Sequence, residues 1–85
     1  MSFPLSIISP SGKIFDDTID SLSVPGREGG FEVYSHHAPL IAILKAGKVY
    51  VRKDDQVTAY ETTGGVLEVK PEHNVLLLAD QMTAE

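Results

Sequence analysis

The sequence predicts an all-β fold of about ten strands, a β-sandwich or flattened barrel of two antiparallel sheets. Three observations carry this. Short runs rich in β-branched, aliphatic and aromatic residues recur between turn residues at about 8–12 positions. Within several runs apolar and polar residues alternate with period two. Helical spacing is absent: the stretch 38–46, the one place where a helix can be drawn, meets Gly47 after too few residues to stand alone.

Phe3 to Ile8 reads as the first strand, and Ser9-Pro10-Ser11-Gly12 fits a type I turn with Pro second and Gly fourth. Lys13 to Phe15 opens the second strand. In the next run, Thr18 to Val24, Leu22 and Val24 share a face with which Phe15 and Ile19 are out of phase. A bulge or change of sheet is therefore expected near Asp16-Asp17. Gly30 to Tyr34 and Leu40 to Leu44 are the next strands. Lys45-Ala46-Gly47-Lys48 suits a type II turn in which Gly47 supplies the positive φ. Lys48 to Lys53 alternates, with Val49 and Val51 opposite Tyr50 and Arg52. Asp54-Asp55 reads as a two-residue hairpin turn, since Asp tolerates the left-handed region. Gln56 to Glu61 places Val57 and Ala59 together, and Gly65 to Lys70 places Leu67 and Val69 together. After a turn at 71–74, Val75 to Asp80 is nearly all apolar, as for a strand covered on both sides. Residues 81–85 form a polar tail to a single domain spanning 1–85.

Composition excludes several functions. With no cysteine there is no disulfide, thiolate metal site or thiol nucleophile. Seven basic and twelve acidic residues give a net charge of −5, which disfavours nucleic acid and anionic lipid as direct partners. The start, Met-Ser-Phe-Pro-Leu-Ser, lacks the pattern of a signal peptide, and the apolar stretch 75–79 is too short to span a bilayer.

No catalytic set stands out. Gly26-Arg27-Glu28-Gly29-Gly30 is followed by Phe31-Glu32 rather than Lys-Ser or Lys-Thr, so it reads as a turn and not a phosphate loop. His36 and His37 are adjacent and point to opposite faces of an extended chain, and His73 adds no recognisable ligand spacing, so no metal site is expected. Ser35, His37 and Asp80 supply triad residue types without a nucleophile elbow. Asp16-Asp17 and Asp54-Asp55 sit at expected turns. Tyr50 and Tyr60 face away from the Val49/Val51 and Val57/Ala59 sets and, with Phe31 and Tyr34, offer either sheet cover or a partly apolar docking face. The residues alone leave open a β-sandwich module that binds a small ligand or peptide, and a small metal-dependent enzyme using His36, His37 and His73.

The segment from Glu28 to Leu40, E-G-G-F-E-V-Y-S-H-H-A-P-L, breaks the strand pattern with two glycines, two histidines and a proline. It is a place to expect contacts. Here the chain resembles the N-terminal β-sandwich domain of the epsilon subunit of bacterial F-type ATP synthase (delta in mitochondria). The matching segments are, in order, Phe3 to Pro10 with Gly12 and Phe15, Val24-Pro25-Gly26 through Glu28-Gly29, His37-Ala38-Pro39-Leu40, Leu44-Lys45-Ala46-Gly47, Gly64 to Val69 and Val75 to Asp80. The chain departs from the family pattern in having Gly30 and Glu32 where Glu and then Gly are usual, and His36 where Gly is usual. It also stops at Glu85, near where longer members begin a helical hairpin with an inhibitory arm and, in some, an ATP site; neither is expected in this short form.

The resemblance implies a rotor part without catalytic residues, cofactor or metal, on the cytoplasmic face of the bacterial membrane. It docks the γ shaft onto the c-subunit ring and so couples proton flow to ATP synthesis. It implies that Glu28, Gly29, Gly30, Phe31 and Glu32 face the c ring, with Glu28 or Glu32 as its carboxylate. It implies that Tyr34, His37, Ala38, Pro39 and Leu40 support the contact to γ.

Overall fold

Ten strands and no helix make up the computed structural model, which describes residues Met1–Glu85. In chain order they are β1 (Phe3–Ser9), β2 (Gly12–Ile19), β3 (Ser21–Val24), β4 (Phe31–Tyr34), β5 (Leu40–Leu44), β6 (Gly47–Lys53), β7 (Gln56–Thr62), β8 (Gly65–Val69), β9 (Val75–Ala79) and β10 (Met82–Ala84). The first sheet has the order β2-β1-β9-β8-β5 and the second β10-β7-β6-β3-β4. The two stack as an open sandwich rather than a closed barrel. One pairing is not antiparallel: β9 lies parallel to β1, with Leu5 opposite Val75 and Ile8 opposite Leu78.

Alternation along each strand builds the core. Phe3, Leu5, Ile7, Ile19, Leu67, Val69, Val75 and Leu77 point inward from the first sheet; Leu22, Val24, Val33, Val49 and Val51 meet them from the second. Each is buried, and each full burial of such a side chain is worth about 1.5–3 kcal/mol. Thr62 is the one buried polar residue, and its hydroxyl lies 2.9 Å from Gly64 O and 3.1 Å from Gln81 O.

Several local expectations shift. The change of sheet comes at Asp20, not at Asp16-Asp17, because Ile19 and Leu22 are both buried and their odd spacing breaks the period between them. There the Asp20 N–H donates to Arg52 O at 2.8 Å and the Asp20 carboxylate accepts the Asp54 N–H at 2.9 Å. A separate bulge falls at Ile14, skipped between the pairs Ile7–Phe15 and Ile8–Lys13. Asp54 and Asp55 form the expected left-handed hairpin turn, with φ of 51° and 67°. Gly47, by contrast, has no positive φ; it opens β6 beneath Pro25, whose Cβ would lie 2.9 Å from any added side chain. The glycine serves close approach, not turn geometry.

The phase of β7 is also reversed. Tyr60 pairs with Val49 and is buried, whereas Val57 is 60% exposed. The register with β6 overrides the greater local hydrophobicity of Val57 and Ala59. β9 is covered on one side only: Val75, Leu77 and Ala79 are buried, while Leu78 is 46% exposed. Finally, residues 82–84 are not a loose tail but edge strand β10, paired to β7 through Met82–Thr62 and Ala84–Tyr60.

Candidate functional site

Between β3 and β4 the chain first runs beside β5. Lys45 N–H donates to Pro25 O at 2.9 Å and Arg27 N–H to Ile43 O at 2.8 Å, so Pro25 to Arg27 cover part of the β5 edge. The turn that follows needs glycine. A Cβ on Gly26 would stand 2.6 Å from Gly29 O and 2.9 Å from the Phe31 ring. Glu28, Gly29 and Gly30 are exposed at the tip. Phe31 and Glu32 already belong to β4: Phe31 packs on the core and Glu32 accepts a hydrogen bond from the Tyr34 hydroxyl. That bond holds the Tyr34 phenol above its ordinary value. Glu28 takes part in none of the three ion pairs.

Residues 35–39 carry the chain from the second sheet to the first. Tyr34 stays on the outer side of the second sheet, opposite Ser21. His37, Ala38 and Pro39 lie on the crossover, and Leu40 half-buries against the core opposite Val69. The five residues expected to meet γ are thus split, with Tyr34 apart from the other four. His37 is pinned: its N–H donates to Tyr34 O at 3.2 Å and its Nδ1 donates to Ala38 O at 2.7 Å. His36 beside it has φ of 66° and its ring meets that of His73 at 5.0 Å between centres. No group of three or more metal-ligating side chains gathers.

The triad residue types are not assembled. Ser35 and His37 precede Leu40, at the Val69 end of β8, whereas Asp80 donates its N–H to Gly64 O at the other end. The paired carboxylates serve structure: Asp16 binds Lys13 at 2.9 Å and Asp17 binds Lys53 at 2.6 Å. Of the two readings the sequence left open for Tyr60, sheet cover or docking face, burial in the core rules out the docking face.

The most prominent surface is one that sequence reasoning missed. On the outer side of the first sheet Ile8 is opposite Leu78, Leu78 opposite Val66, and Val66 opposite Ile43. This aliphatic row crosses β1, β9, β8 and β5, with Leu78 46%, Val66 37% and Ile43 48% exposed. In the next row along the strands Ile41, 73% exposed, and Leu76 flank Glu68, so the apolar surface continues there only on β5 and β9. Aliphatic outward residues in β9 were the available signal, but only the parallel β1–β9 register aligns them with Ile8. A depression of about 380 Å³ joins this surface to the glycine turn, bordered by Arg27, Glu28, Phe31, Ile41 and Ile43.

Comparison with known proteins places the fold. Residues 2–85 match the family model described as the ATP synthase delta/epsilon chain β-sandwich domain. The ATP synthase epsilon chain of Protochlamydia amoebophila is 40% identical over 82 residues, covering 94% of this chain and 54% of that protein. The ATP synthase epsilon chain of Bacillus subtilis is 35% identical over 81 residues, covering 95% of this chain and 61% of that protein. The chain thus spans just over half the length of these relatives. Among solved structures, it superposes on 98% of its length with a chain of the Euglena gracilis mitochondrial ATP synthase OSCP/F1/c-ring (TM-score 0.92, 16% identity, 53% of that chain). A chain of the Tetrahymena thermophila mitochondrial ATP synthase central stalk and c-ring matches with TM-score 0.84 at 13% identity, covering 98% of this chain and 66% of that one. With the family model matched over nearly its whole length, this chain belongs to the ATP synthase delta/epsilon chain β-sandwich family.

Proposed function

We propose that the chain acts as the β-sandwich of a rotor subunit in proton-translocating F-type ATP synthase, docking the γ shaft onto the c-subunit ring without performing chemistry itself. Family membership supports the setting, on the cytoplasmic face of the bacterial membrane. The observation that carries the role is the exposed aliphatic row Ile8–Leu78–Val66–Ile43. Contiguous apolar surface of this kind on a small domain marks an interaction site.

His37, Ala38 and Pro39 lead directly into β5 and hence onto this row, so the γ contact is proposed to run from the crossover across Ile41, Ile43, Val66 and Leu78. Leu40 supports it from behind, whereas Tyr34, on the outer side of the second sheet, falls outside this contact. The c-ring contact is proposed to lie at Glu28, Gly29 and Gly30. Glu28 is its free carboxylate, because Glu32 is occupied by Tyr34 and Phe31 buttresses the turn. The shared depression makes the two contacts neighbours. A close-packed sandwich suits transmission of torque because its core deforms little.

Mixing the purified chain with γ tests the reading. A one-to-one complex by size exclusion, lost on Leu78→Asp, is the expected result. Absence of any complex with γ removes the proposed role.

A further inference from the structure

We propose that His36 and His73 form a two-histidine site for a borderline divalent ion such as Zn2+ or Ni2+. His36 lies on the crossover between β4 and β5, and His73 in the turn between β8 and β9. The sheet brings these two segments together because β8 is the neighbour of β5. Both residues are exposed, and both have left-handed backbones, with φ of 66° and 70°. Non-glycine residues seldom adopt this conformation, and histidine is among those that do. Two such positions, far apart in sequence, bring their rings into an edge-to-face contact, with centres 5.0 Å apart and planes at 79°.

That separation matches shared coordination. With metal–nitrogen bonds of about 2.0–2.1 Å, each ring centre stands about 3 Å from the ion, and two rings on a tetrahedral ion stand about 5 Å apart. Near-perpendicular planes are compatible, because coordination fixes where each nitrogen points and not the twist about the bond. Turning an exposed ring about its broad χ2 well completes the alignment. Imidazole selects zinc, nickel or copper over magnesium and calcium. His37 is not a ligand, since its Nδ1 is committed to Ala38 O at 2.7 Å. No third protein ligand gathers, so water fills the remaining positions and the ion exchanges freely. Bound, it staples the crossover that holds Pro39 to the β8–β9 turn, and so stabilises the folded chain.

Thermal unfolding and calorimetric titration of the whole chain with ZnCl2, NiCl2 and MgCl2 test the site. His36→Asn and His73→Asn retain a residue tolerant of positive φ, and His37→Asn is the control. The expected result is one Zn2+ or Ni2+ per chain. At ion concentrations about a hundredfold above Kd the melting temperature rises by about 10 °C or more. No response to Mg2+ is expected. Either His36→Asn or His73→Asn weakens binding at least about tenfold, and His37→Asn leaves it within about twofold, the loss expected of one lost imidazole ligand. Imidazole NMR of the unaltered chain gives a readout independent of the variants: Zn2+ must shift the rings of His36 and His73. Absent binding, binding that survives both substitutions, or shifts confined to His37 would overturn the proposal.

Discussion

On the outer side of the first sheet, Ile8, Leu78, Val66 and Ile43 stand side by side on four strands. The corresponding row of the second sheet, across β4, β3, β6 and β7, reads Tyr34, Ser21, Arg52 and Val57. Side chains alternate in the same way on both sheets; the outward set is not the same. The second face satisfies itself. Arg52 Nε donates to Ser21 Oγ at 3.2 Å, the Tyr34 hydroxyl donates to Glu32, and Lys48 pairs with Glu85 at 3.4 Å. On the first face Ser6 bonds Asp16 at 3.3 Å and Lys13 pairs with Asp16 at 2.9 Å, but the aliphatic row beside them can make no such bond. Cross-strand pairs within an outward aliphatic row add only about 0.2–1 kcal/mol each to the fold, and they leave the row's outer side in water. The difference between the faces therefore points to a covering partner on the first.

The largest expected effect separates the two sides of one strand. Leu77 is fully buried and Leu78 is 46% exposed, although they are adjacent on β9. Leu77→Ala is expected to cost about 2–5 kcal/mol of folding stability, and Leu78→Ala less than about 1 kcal/mol, by urea denaturation. Equal losses would mean that the outer face is part of the folding core and not a docking surface.

Binding sharpens the comparison next. Leu78→Asp on the first face is expected to weaken γ binding at least about a hundredfold, roughly 2.7 kcal/mol, with little change in stability. Tyr50→Ala, at a 40% exposed position on the second face, is expected to change γ affinity by less than about threefold. Titration calorimetry reads both. A reversed order would move the γ contact to the tyrosine and arginine face.

Much of this contrast could not be read in the chain itself. Local rules sufficed where geometry is local: Asp54-Asp55 announces its left-handed turn, and Leu67 and Val69 announce their shared face. Tyr60 is different. Its neighbours Val57 and Ala59 are the more apolar choice within Gln56 to Glu61, and only pairing with Val49 turns Tyr60 inward. Gly47 looks like a turn glycine because Pro25, which presses on it, is distant in sequence. The aliphatic row depends on the parallel β1–β9 register, and the His36–His73 contact joins two loops far apart in the chain. In the segment Glu28 to Leu40 the sequence marked a contact region, and the structure divides it. An exposed turn lies at one end and the crossover at the other, with a paired strand between.

The smallest effect concerns how the two faces are held relative to each other. Lys53 of β6 meets Asp17 of β2 at 2.6 Å across the seam where the sheets separate. The hydrogen bond from Lys53, followed by the Thr18 N–H, holds the Asp17 carboxyl below its ordinary value of 3.8. The same contact raises Lys53 above 10.5. The signs follow. A lowered carboxylate contributes stability above its unfolded pKa and loses it as pH falls through the folded one; a raised lysine contributes below its unfolded pKa and loses it as pH climbs through the folded one. The contribution is flat from about pH 5 to pH 9 and fades at both extremes. Both side chains are about half exposed, so the effect is small and salt-sensitive. Asp17→Asn should lower the urea midpoint slightly at pH 7 in low salt and leave it unchanged at about pH 2 or in about 1 M salt. A deficit that persists under those conditions would show that Asp17 works through its hydrogen bond to Thr18 N–H, a bond that Asn keeps less well, and not by tying the two sheets together through charge.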